Sequence, residues 1–463
     1  MPTDIDASPT ARLAQWCSRP DHNWNRDCLD GARRAFLDTT AVMLAGSGEV
    51  AVRRTAAAAL SWGSGAAHVV GQAAMLAAPW AALINGTAAH ALDYDDVLDP
   101  ARSHPSAALV PALYALAEET GASGHDCLEA YLVGFEVMTR LGEAMNLDHY
   151  GRGWHTTLSL GAPGVAAACA RLLRLDTRAT AMAISLATSM AGGSKCQFGT
   201  MAKPLHAGLA AKNGLVAARL AQAGVSAIAE PFEGTWGYRE MTSGAGSPGF
   251  AGALTNLDGE PAMTQYGIWA KPYPCCAGAH RAIDAALALA HAYPDVMGRA
   301  VRITASVSVI ASRNLKYRVP ADVSEARFSL PYCVCTALVD GAPGPASFTA
   351  EAITRPFVLA LIERFETIVD TEVGSGDVSA SRESSTVTLY LNDGRTLSES
   401  VDIPHGYPPR MLGEADLSRK FFACVDNVLP MTAAHRLHEQ LLDIEALPRA
   451  AALAAMLGEA RPA

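Results

Sequence analysis

Titratable residues gather at four points of the chain where a polar segment runs into an apolar one. At the first, the acidic segment DYDD at 93–96 is followed by Arg102 and His104, directly before Pro105. Proline at the first position of a helix predicts that His104 lies at a helix N-terminus. The positive end of the helix dipole disfavours the imidazolium there and keeps the ring ready as a base. The acidic side chains could orient that base, hold a hard metal ion, or simply cap a turn; they are Asp93, Asp95 and Asp96.

Three further junctions carry histidine, lysine or cysteine. The second contains His155, the third contains Thr200 and Lys203 ahead of Pro204, and the fourth contains Lys271, Cys276 and His280. Unpaired N–H groups at helix starts bind carboxylates, and an ammonium group adds charge to such a site. Each junction alone is also explained by caps and buried structural residues. Together they predict a pocket for a small polyanion.

Lysine is rare in this chain, which has six lysines against thirty arginines. Five of the six lie between positions 195 and 316. Unlike arginine, lysine can lose its proton when its surroundings demand it. Lys203, immediately before Pro204, is therefore predicted to have a chemical role, with drift under biased composition as the alternative.

The predicted secondary structure that positions these residues changes near residue 265, from helices alone to strands and helices. Before it, apolar residues recur at helical spacing, and helices apolar on all sides indicate a large bundle. After it, VRITASVSVI at 301–310 alternates like a strand, and two further runs joined by Asn392-Asp393-Gly394 predict a hairpin. Helical spacing returns after 413. The sequence therefore predicts a mainly α protein, with a helical domain built from 1–265 and 409–463 and a smaller α+β lid domain inserted at 266–408.

Composition narrows the class of protein. The 463 residues are 50% hydrophobic and 18% charged, which excludes a disordered chain. A net charge of −10 argues against a nucleic-acid partner and against an anionic membrane surface. The start of the chain shows no signal-peptide pattern, and ten scattered cysteines are typical of a reducing compartment, so we expect a cytoplasmic protein.

Motifs for common cofactors are missing from the sequence. It contains no G-x-x-x-x-G-K-[ST], no complete G-x-G-x-x-G after a strand, no G-x-S-x-G and no C-x-x-C. Nucleotide, flavin and iron–sulfur chemistry thus lose their strongest support. The lack of further metal-ligand clusters also argues against a required metal ion.

Several segments, in order, resemble the MmgE/PrpD family: NGTAAHALDYDD, HPSAALVPALYALAE, GWHTT, KPLHAGLAAKNGLVAARLA and KPYPCC. The family includes 2-methylcitrate dehydratase, cis-aconitate decarboxylase and iminodisuccinate epimerase. The resemblance runs from about residue 10 to 445 and implies a helical domain with an inserted lid, a homodimer and no cofactor. Carried over by position, it implies a pocket between the two domains lined by Asp93, His104, His155, Lys203 and Lys271.

Departures from the family pattern bear on the substrate. Val97 and Cys276 stand where the resemblance implies Thr and His in cis-aconitate decarboxylases. The decarboxylases' lid tyrosine falls near Asn314, whereas this chain offers Tyr317 three residues later. These departures disfavour cis-aconitate as the substrate. Tyr150, in the segment 149–155, belongs with Arg102, Cys276 and Tyr317 to the features that look more similar to the epimerase branch.

The sequence thus predicts a cofactor-independent lyase, a dehydratase acting on a small di- or tricarboxylate by proton transfer next to a carboxylate. Epimerase, decarboxylase and non-catalytic carboxylate-binding dimer remain as alternatives, in that order. The predicted catalytic residues are His104, His155, Lys203, Asp93, Lys271 and Tyr317. The predicted substrate-binding residues are Arg102, Asp95, Asp96, Tyr150, Thr200, Cys276 and His280.

Overall fold

A computed structural model describes residues 8–294, 296–371 and 383–461. The part before residue 267 is helical apart from a small hairpin. Its helices are α1 (Pro9–Cys17), α2 (Arg26–Gly46), α3 (Val50–Ala59), α4 (Ala78–Ala91), α5 (Pro105–Thr120), α6 (Gly124–Met145), α7 (Asp148–Gly151), α8 (Thr156–Ser159), α9 (Gly161–Leu172), α10 (Thr177–Thr188), α11 (Ala202–Gln222), α12 (Tyr238–Ser243), α13 (Phe250–Ala253) and α14 (Ala262–Tyr266). The hairpin joins β1 (Ser64–His68) to β2 (Met75–Leu76).

A four-stranded sheet lies in the following part of the chain, in the order β4-β3-β5-β6. Its strands are β3 (Ala300–Ser308), β4 (Phe365–Asp370), β5 (Ser385–Leu391) and β6 (Thr396–Val401). The β3–β4 pairing is parallel, and the β3–β5 and β5–β6 pairings are antiparallel. Residues of β5 are alternately buried and half-buried, as expected for a strand packed on one face by helices. The helices of this part are α15 (His280–Ala292), α16 (Val309–Asn314), α17 (Val323–Ala326), α18 (Leu330–Asp340) and α19 (Pro356–Glu363).

The chain then returns to the first helices. The last helices are α20 (Glu414–Val425), α21 (Met431–Leu442) and α22 (Ala451–Gly458). Helix α20 packs on α2, and α22 packs on α5. One hydrophobic cluster combines residues between Leu13 and Ala270 with residues between Leu412 and Ala460, while a second combines residues 273–391 with Phe198.

Helices α4 and α11 pack very closely because glycines face each other. A Cβ on Gly208 would lie 2.1 Å from the Leu83 carbonyl oxygen, and a Cβ on Gly86 would lie 2.8 Å from the Cα of Gly208. Small residues at a helix crossing let the two backbones approach. This contact brings the C-terminal end of α4 to the N-terminal end of α11, where His90 and Lys203 lie.

The mainly α class is confirmed. The hairpin around Asn392-Asp393-Gly394 is present, but the sequence reasoning missed β4, which begins at Phe365 directly after α19. The apolar run that begins α19 masked the strand. The domain limits at 266 and 408 stay predictions, and the predicted ranges include 1–7, 372–382 and 462–463, which lie outside the described residues.

Within the described ranges, no single helix has both the length and the apolar composition to cross a bilayer. One strongly bent pair, α2 with α3, meets those two criteria only when the helices are taken together. All ten cysteines are free thiols, and only Cys196 is exposed.

Candidate active site

A cavity lies where the helical part meets the segment that starts at Trp269. Backbone hydrogen bonds in both directions between Val97 and Trp269 join the two parts at its edge. The predicted site residues on its wall are Asp93, Arg102, His104, Tyr150, His155, Lys203 and Cys276. Further wall residues include Phe198, Arg281, Asn314, Phe328 and Glu383.

Asp93 is the centre of a buried ion cluster. Its Oδ1 accepts hydrogen bonds from the ammonium groups of Lys203 at 2.9 Å and Lys271 at 2.8 Å. Lys271 also donates to the Asp93 backbone carbonyl at 2.9 Å. Burial by itself raises the pKa of the Asp93 carboxyl, but the two ammonium groups outweigh it and hold that pKa well below its usual value. Asp93 therefore stays ionised and keeps both lysines beside the cavity.

Lys203 is also bonded to a histidine. Its ammonium group donates to Nε2 of His90 at 2.8 Å, so this nitrogen carries no proton. The other nitrogen, Nδ1, then carries the proton and donates to the carboxylate of Asp95, at 2.9 Å from both oxygens. Burial lowers the pKa of His90 to about 3, so the ring is neutral at pH 7. Burial also lowers the pKa of Lys203, while Asp93 opposes that change.

His104 presents a lone pair beside this cluster. Its Nδ1 lies 2.8 Å from the backbone carbonyl oxygen of Asp96, which can only accept, so Nδ1 is the protonated nitrogen. Its unprotonated Nε2 lies 3.9 Å from the Asp93 carboxylate. Burial, aided by the charges of Lys271 and Lys203, lowers the pKa of His104. The direction agrees with the sequence reasoning, but burial, rather than the helix dipole, is the larger cause.

His155 is the second imidazole on the cavity wall. Its Nδ1 lies 2.9 Å from Nδ1 of His206, so one of these nitrogens donates to the other. Its buried Nε2 has no hydrogen-bond partner among the described residues. Burial, with the charge of Lys203, holds the pKa of His155 well below its usual value, and burial lowers that of His206 to about 4. Both rings are neutral at pH 7, so Nε2 of His155 accepts a proton if its Nδ1 is the donor to His206, and donates one if its Nδ1 is the acceptor.

Tyr150 and Cys276 contribute uncharged groups to the cavity wall. Asn314 donates to the hydroxyl oxygen of Tyr150 at 2.8 Å, which links α16 to α7. Burial raises the pKa of the Cys276 thiol to about 11. A thiol with such a pKa is not a nucleophile at neutral pH.

Six predicted site residues do not lie on the cavity wall. Asp95 and Lys271 lie behind it, bonded to His90 and Asp93 respectively. The remaining four have other hydrogen-bond partners: Asp96 accepts from Ser106, Thr200 donates to the Gln197 carbonyl, His280 lies 3.2 Å from the Cys275 carbonyl, and Tyr317 donates to the Phe198 carbonyl. The hydroxyl of Tyr317 is used in that bond, and Asn314, three residues earlier at the end of α16, lies on the cavity wall.

Sequence reasoning missed His90, His206, Arg281 and Glu383 as site residues. His90 ends a helix that is buried almost all round, and a lone histidine there is indistinguishable from a structural one. His206 lies three residues after Lys203, on the same face of α11, and this spacing was the available signal. Arg281 and Glu383 carry no local motif.

Two groups of these side chains have the residue types and the spacing of metal ligands. The first is His90 with His104 and His155, and the second is His90 with Asp93, Asp95 and His104. The hydrogen bonds that these side chains already make argue against metal binding. The Lys203 ammonium group already occupies the lone pair of His90, and two ammonium groups flank Asp93. A divalent cation would meet those positive charges, so the described residues do not fit a resident metal.

Comparisons with known proteins identify the family. The chain matches the MmgE/PrpD N-terminal domain over residues 11–251 and the MmgE/PrpD C-terminal domain over residues 273–445. The two matches cover most of the chain, so the protein belongs to the MmgE/PrpD family. The resemblance noted in the sequence is thereby confirmed.

Individual relatives match over nearly full length. A cis-aconitate decarboxylase of Homo sapiens is 30% identical over 389 residues, covering 82% of this chain and 79% of the relative. A cis-aconitate decarboxylase-like protein of Aspergillus oryzae is 28% identical over 472 residues, covering 96% of each. A cis-aconitate decarboxylase of Aspergillus terreus is 27% identical over 462 residues, covering 95% of this chain and 93% of the relative.

Proposed function

We propose that this protein is a cofactor-independent lyase that removes water from a small di- or tricarboxylate. The observation that carries the proposal is the unprotonated Nε2 of His104 on the wall of a cavity that also holds the ammonium group of Lys203. A neutral imidazole is a base suited to removing a proton from the carbon next to a carboxylate. Lys203 is a cation whose lowered pKa makes it a better acid than an exposed lysine.

The steps balance with these two residues. The C–H proton moves to Nε2 of His104, and its electron pair forms the new carbon–carbon double bond as the neighbouring carbon–oxygen bond breaks. Lys203 donates a proton to the departing hydroxyl, which leaves as water. The neutral amine of Lys203 keeps its hydrogen bonds to Asp93 and His90 until a proton from solvent restores the ammonium group.

Family membership supports a lyase, because relatives named cis-aconitate decarboxylase also cleave a bond next to a carboxylate. The cavity wall supports a different substrate from theirs. Val97 and Cys276 both lie on the wall, at the positions where the resemblance implies Thr and His in the decarboxylases. Because the wall lacks the Thr hydroxyl and the His imidazole at these two positions, decarboxylation of cis-aconitate is the third candidate.

Epimerisation is the second candidate, favoured by the pair of imidazoles on the wall. Ring nitrogens of His104 and His155 lie within 4.8 Å of each other, and both rings are neutral at pH 7. One ring can remove the proton from the stereocentre while a group on the other side returns one. This reaction uses the same substrate class and releases nothing.

Proton NMR in heavy water separates the candidates. The enzyme is incubated with 2-methylcitrate, citrate, malate, cis-aconitate and iminodisuccinate in turn. Formation of an unsaturated acid supports the proposed dehydratase, whereas deuterium uptake with inversion indicates an epimerase and loss of carbon dioxide a decarboxylase. If no substrate reacts or exchanges, the result supports the alternative of a non-catalytic carboxylate-binding protein. His104→Gln should abolish any reaction, and His291→Gln, at an exposed position, is the matched control.

A homodimer is the second part of this proposal. Large apolar side chains that are more than half exposed lie close together in the sequence at Ile228, Trp236 and Met241, and a partner subunit would cover such residues. Light scattering should give about twice the chain mass of 48.4 kDa. A mass of one chain would contradict it.

A further inference from the structure

We propose that a second cavity is the path by which solvent returns a proton to Lys203. The side chain of Lys203 separates this second cavity from the first cavity, which holds His104 and His155. The inference rests on the proposed function, in which Lys203 gives up one proton in each turnover, and deepens it by assigning the source of the replacement. A path that avoids the first cavity lets the proton arrive while product is still bound there.

The second cavity lies beside α3, α11 and α17. Its wall is formed at the starts of α3 and α11, along α17 and at residues 348–349. Asp93, Lys203 and Phe328 line both cavities and therefore form the partition between them. His90, which accepts a hydrogen bond from Lys203, also lines the second cavity. The ion cluster around Lys203 thus has a cavity on each side.

The second cavity opens to solvent at its outer end. The exposed residues on its wall are Val50, Thr200, Met201, Asp322 and Thr349. Its inner end is formed by three buried residues, His90, Asp93 and Lys203. On the wall of the first cavity, by contrast, every described residue is buried or half-buried. Solvent therefore reaches Lys203 more directly through the second cavity.

Arg327 fixes the inner wall of the second cavity. Its Nη1 donates to the Ala91 carbonyl at 3.0 Å, and its Nη2 donates to the Glu49 carboxylate at 3.1 Å. The Arg327 side chain is buried, and its charge is paired with that of Glu49. Because Ala91 directly follows His90 in the chain, these bonds hold α17 and its neighbours beside the ion cluster. The second cavity is therefore a fixed feature of the fold.

The charges on this wall suit protons better than a carboxylate substrate. Three acidic side chains line the second cavity, Asp93, Glu49 and Asp322, against two basic ones, Lys203 and Arg327. A cleft with an excess of one charge attracts ions of the opposite charge. The second cavity therefore favours hydronium and protonated buffer molecules and disfavours a polycarboxylate.

The proton return balances without any further reactant. After Lys203 has protonated the departing hydroxyl, its neutral amine carries a lone pair. Rotation about the Cε–Nζ bond turns this lone pair from the first cavity toward the second. A hydronium ion or a buffer acid then transfers its proton to the nitrogen, which leaves water or the buffer base and restores the ammonium group.

The reaction of the lysines with cyanate tests the path without catalysis. The carbon of isocyanic acid bonds to a neutral amine, one amine proton moves to the nitrogen of the reagent, and a carbamyl-lysine forms. The double variant Val50→Trp/Thr349→Trp places two indole rings at the outer end of the second cavity. Peptide mass spectrometry should show that carbamylation of Lys203 slows about 5- to 20-fold, while the rates at Lys212 and Lys316 stay unchanged.

Matched variants control for effects of the substitutions themselves. Val301 is exposed on β3 and lines neither cavity, so Val301→Trp should leave the rate at Lys203 unchanged. Each single variant, Val50→Trp and Thr349→Trp, is measured as well and keeps the test decisive if the double variant does not fold.

Turnover supplies a second measurement on the reacting enzyme. At low buffer concentration, on the alkaline side of the pH optimum, the supply of protons limits turnover. The double variant should then lower kcat about 3- to 10-fold and leave kcat/KM unchanged, because the proton returns after the bond-breaking step. A general defect of folding would lower both quantities.

The inference is overturned if Lys203 of the double variant reacts with cyanate as fast as Lys203 of Val301→Trp. Equal kcat values for these two variants would likewise reject the second cavity as the source of the proton. Both outcomes leave the proposed lyase intact when the wild-type enzyme forms an unsaturated acid. Slower carbamylation in the double variant, without any turnover by the wild-type enzyme, keeps the path to Lys203 and rejects the lyase.

Discussion

The ammonium group of Lys203 donates to Nε2 of His90 at 2.8 Å, across the contact between the first residues of α11 and the last residues of α4. This bond requires a neutral His90 with its proton on Nδ1, which faces Asp95. A protonated His90 would place a positive charge against Lys203 and remove the acceptor. The close packing of Gly86 on Gly208 therefore has a chemical consequence, because it sets the charge state of the residues beside the cavity.

Lys203→Arg should lower kcat about 10²- to 10⁴-fold, the range for a lost acid–base group. A guanidinium group is larger and does not give up a proton, so it cannot replace an ammonium group held between His90 and Asp93. Steady-state kinetics measure the effect, with the substrate that the NMR experiment identifies. Lys212→Arg on the same helix is the control. Lys203 is only 3% exposed, so we expect reduced stability as well. A folded Arg variant with wild-type kcat and KM would reject a role for Lys203 in chemistry.

The pH dependence of kcat/KM should be bell-shaped. His104 acts as a neutral base, so activity is retained above its pKa and lost as the pH falls through a value below the ordinary 6.5. Lys203 acts as a cation, so activity is lost as the pH rises through a value below the ordinary 10.5. The pH profiles of the variants show which residue causes each limb of the curve. Any residual activity of Lys203→Arg should lack the alkaline limb. An acidic limb centred above pH 6.5 would contradict His104 as the base.

Lys420→Met should destabilise the protein by about 3–5 kcal/mol, because it leaves a buried carboxylate unpaired. Lys420 donates to Asp38 at 2.7 Å and to the backbone carbonyl of Tyr94 at 2.8 Å, so it also holds the segment 93–96 from behind. Adding Asp38→Asn should recover part of the lost stability. Urea unfolding of both single variants and the double variant gives the coupling. A single variant within about 0.5 kcal/mol of wild type would disprove the role of this pair.

Buried neutral histidines should make the protein lose stability in mild acid. Burial lowers the pKa of His149 to about 3, against an ordinary value of 6.5. Between these values the unfolded chain binds a proton that the folded chain does not, so the contribution is complete above pH 6.5 and is lost as the pH falls. The loss is about 1.4 kcal/mol per pH unit for each such histidine.

His149→Gln isolates one of these contributions, since an amide can still bond to Thr242 and Ser159. The slope of unfolding free energy against pH between 4.5 and 5.5 should decrease by about 1.4 kcal/mol per pH unit. The exposed His291 supplies the control substitution His291→Gln. An unaltered slope in His149→Gln would show that His149 takes up its proton in the folded state too.

Dialysis against EDTA should leave activity unchanged. The reason is electrostatic, because the ammonium groups of Lys203 and Lys271 already neutralise Asp93 and Lys203 occupies a lone pair of His90. Activity is measured before and after dialysis, and again after adding Mg²⁺ or Mn²⁺. Loss of activity that either ion restores would show that the histidine and aspartate cluster holds a metal.

Much of the candidate site follows from local signals in the sequence. Proline after His104 and after Lys203 marks helix starts, and a helix start is a place where polar side chains converge. Asp93, Lys203 and Lys271 were each singled out by such junctions. Arg281 and Glu383 were not, because a guanidinium and a carboxylate from distant parts of the chain become a site only when folding brings them together.

The sequence by itself determined the mainly α class, the family and seven of the residues on the cavity wall, since helical periodicity, caps and short motifs are local properties. Only the tertiary structure decided which atoms remain free for chemistry. It shows Lys271 and Asp95 behind the wall, Tyr317 bonded to the Phe198 carbonyl, and Nε2 of His104 as the unprotonated nitrogen. Hydrogen bonds between residues far apart in the chain determine which nitrogen carries a proton, and burial determines the pKa, so neither can be derived from local sequence.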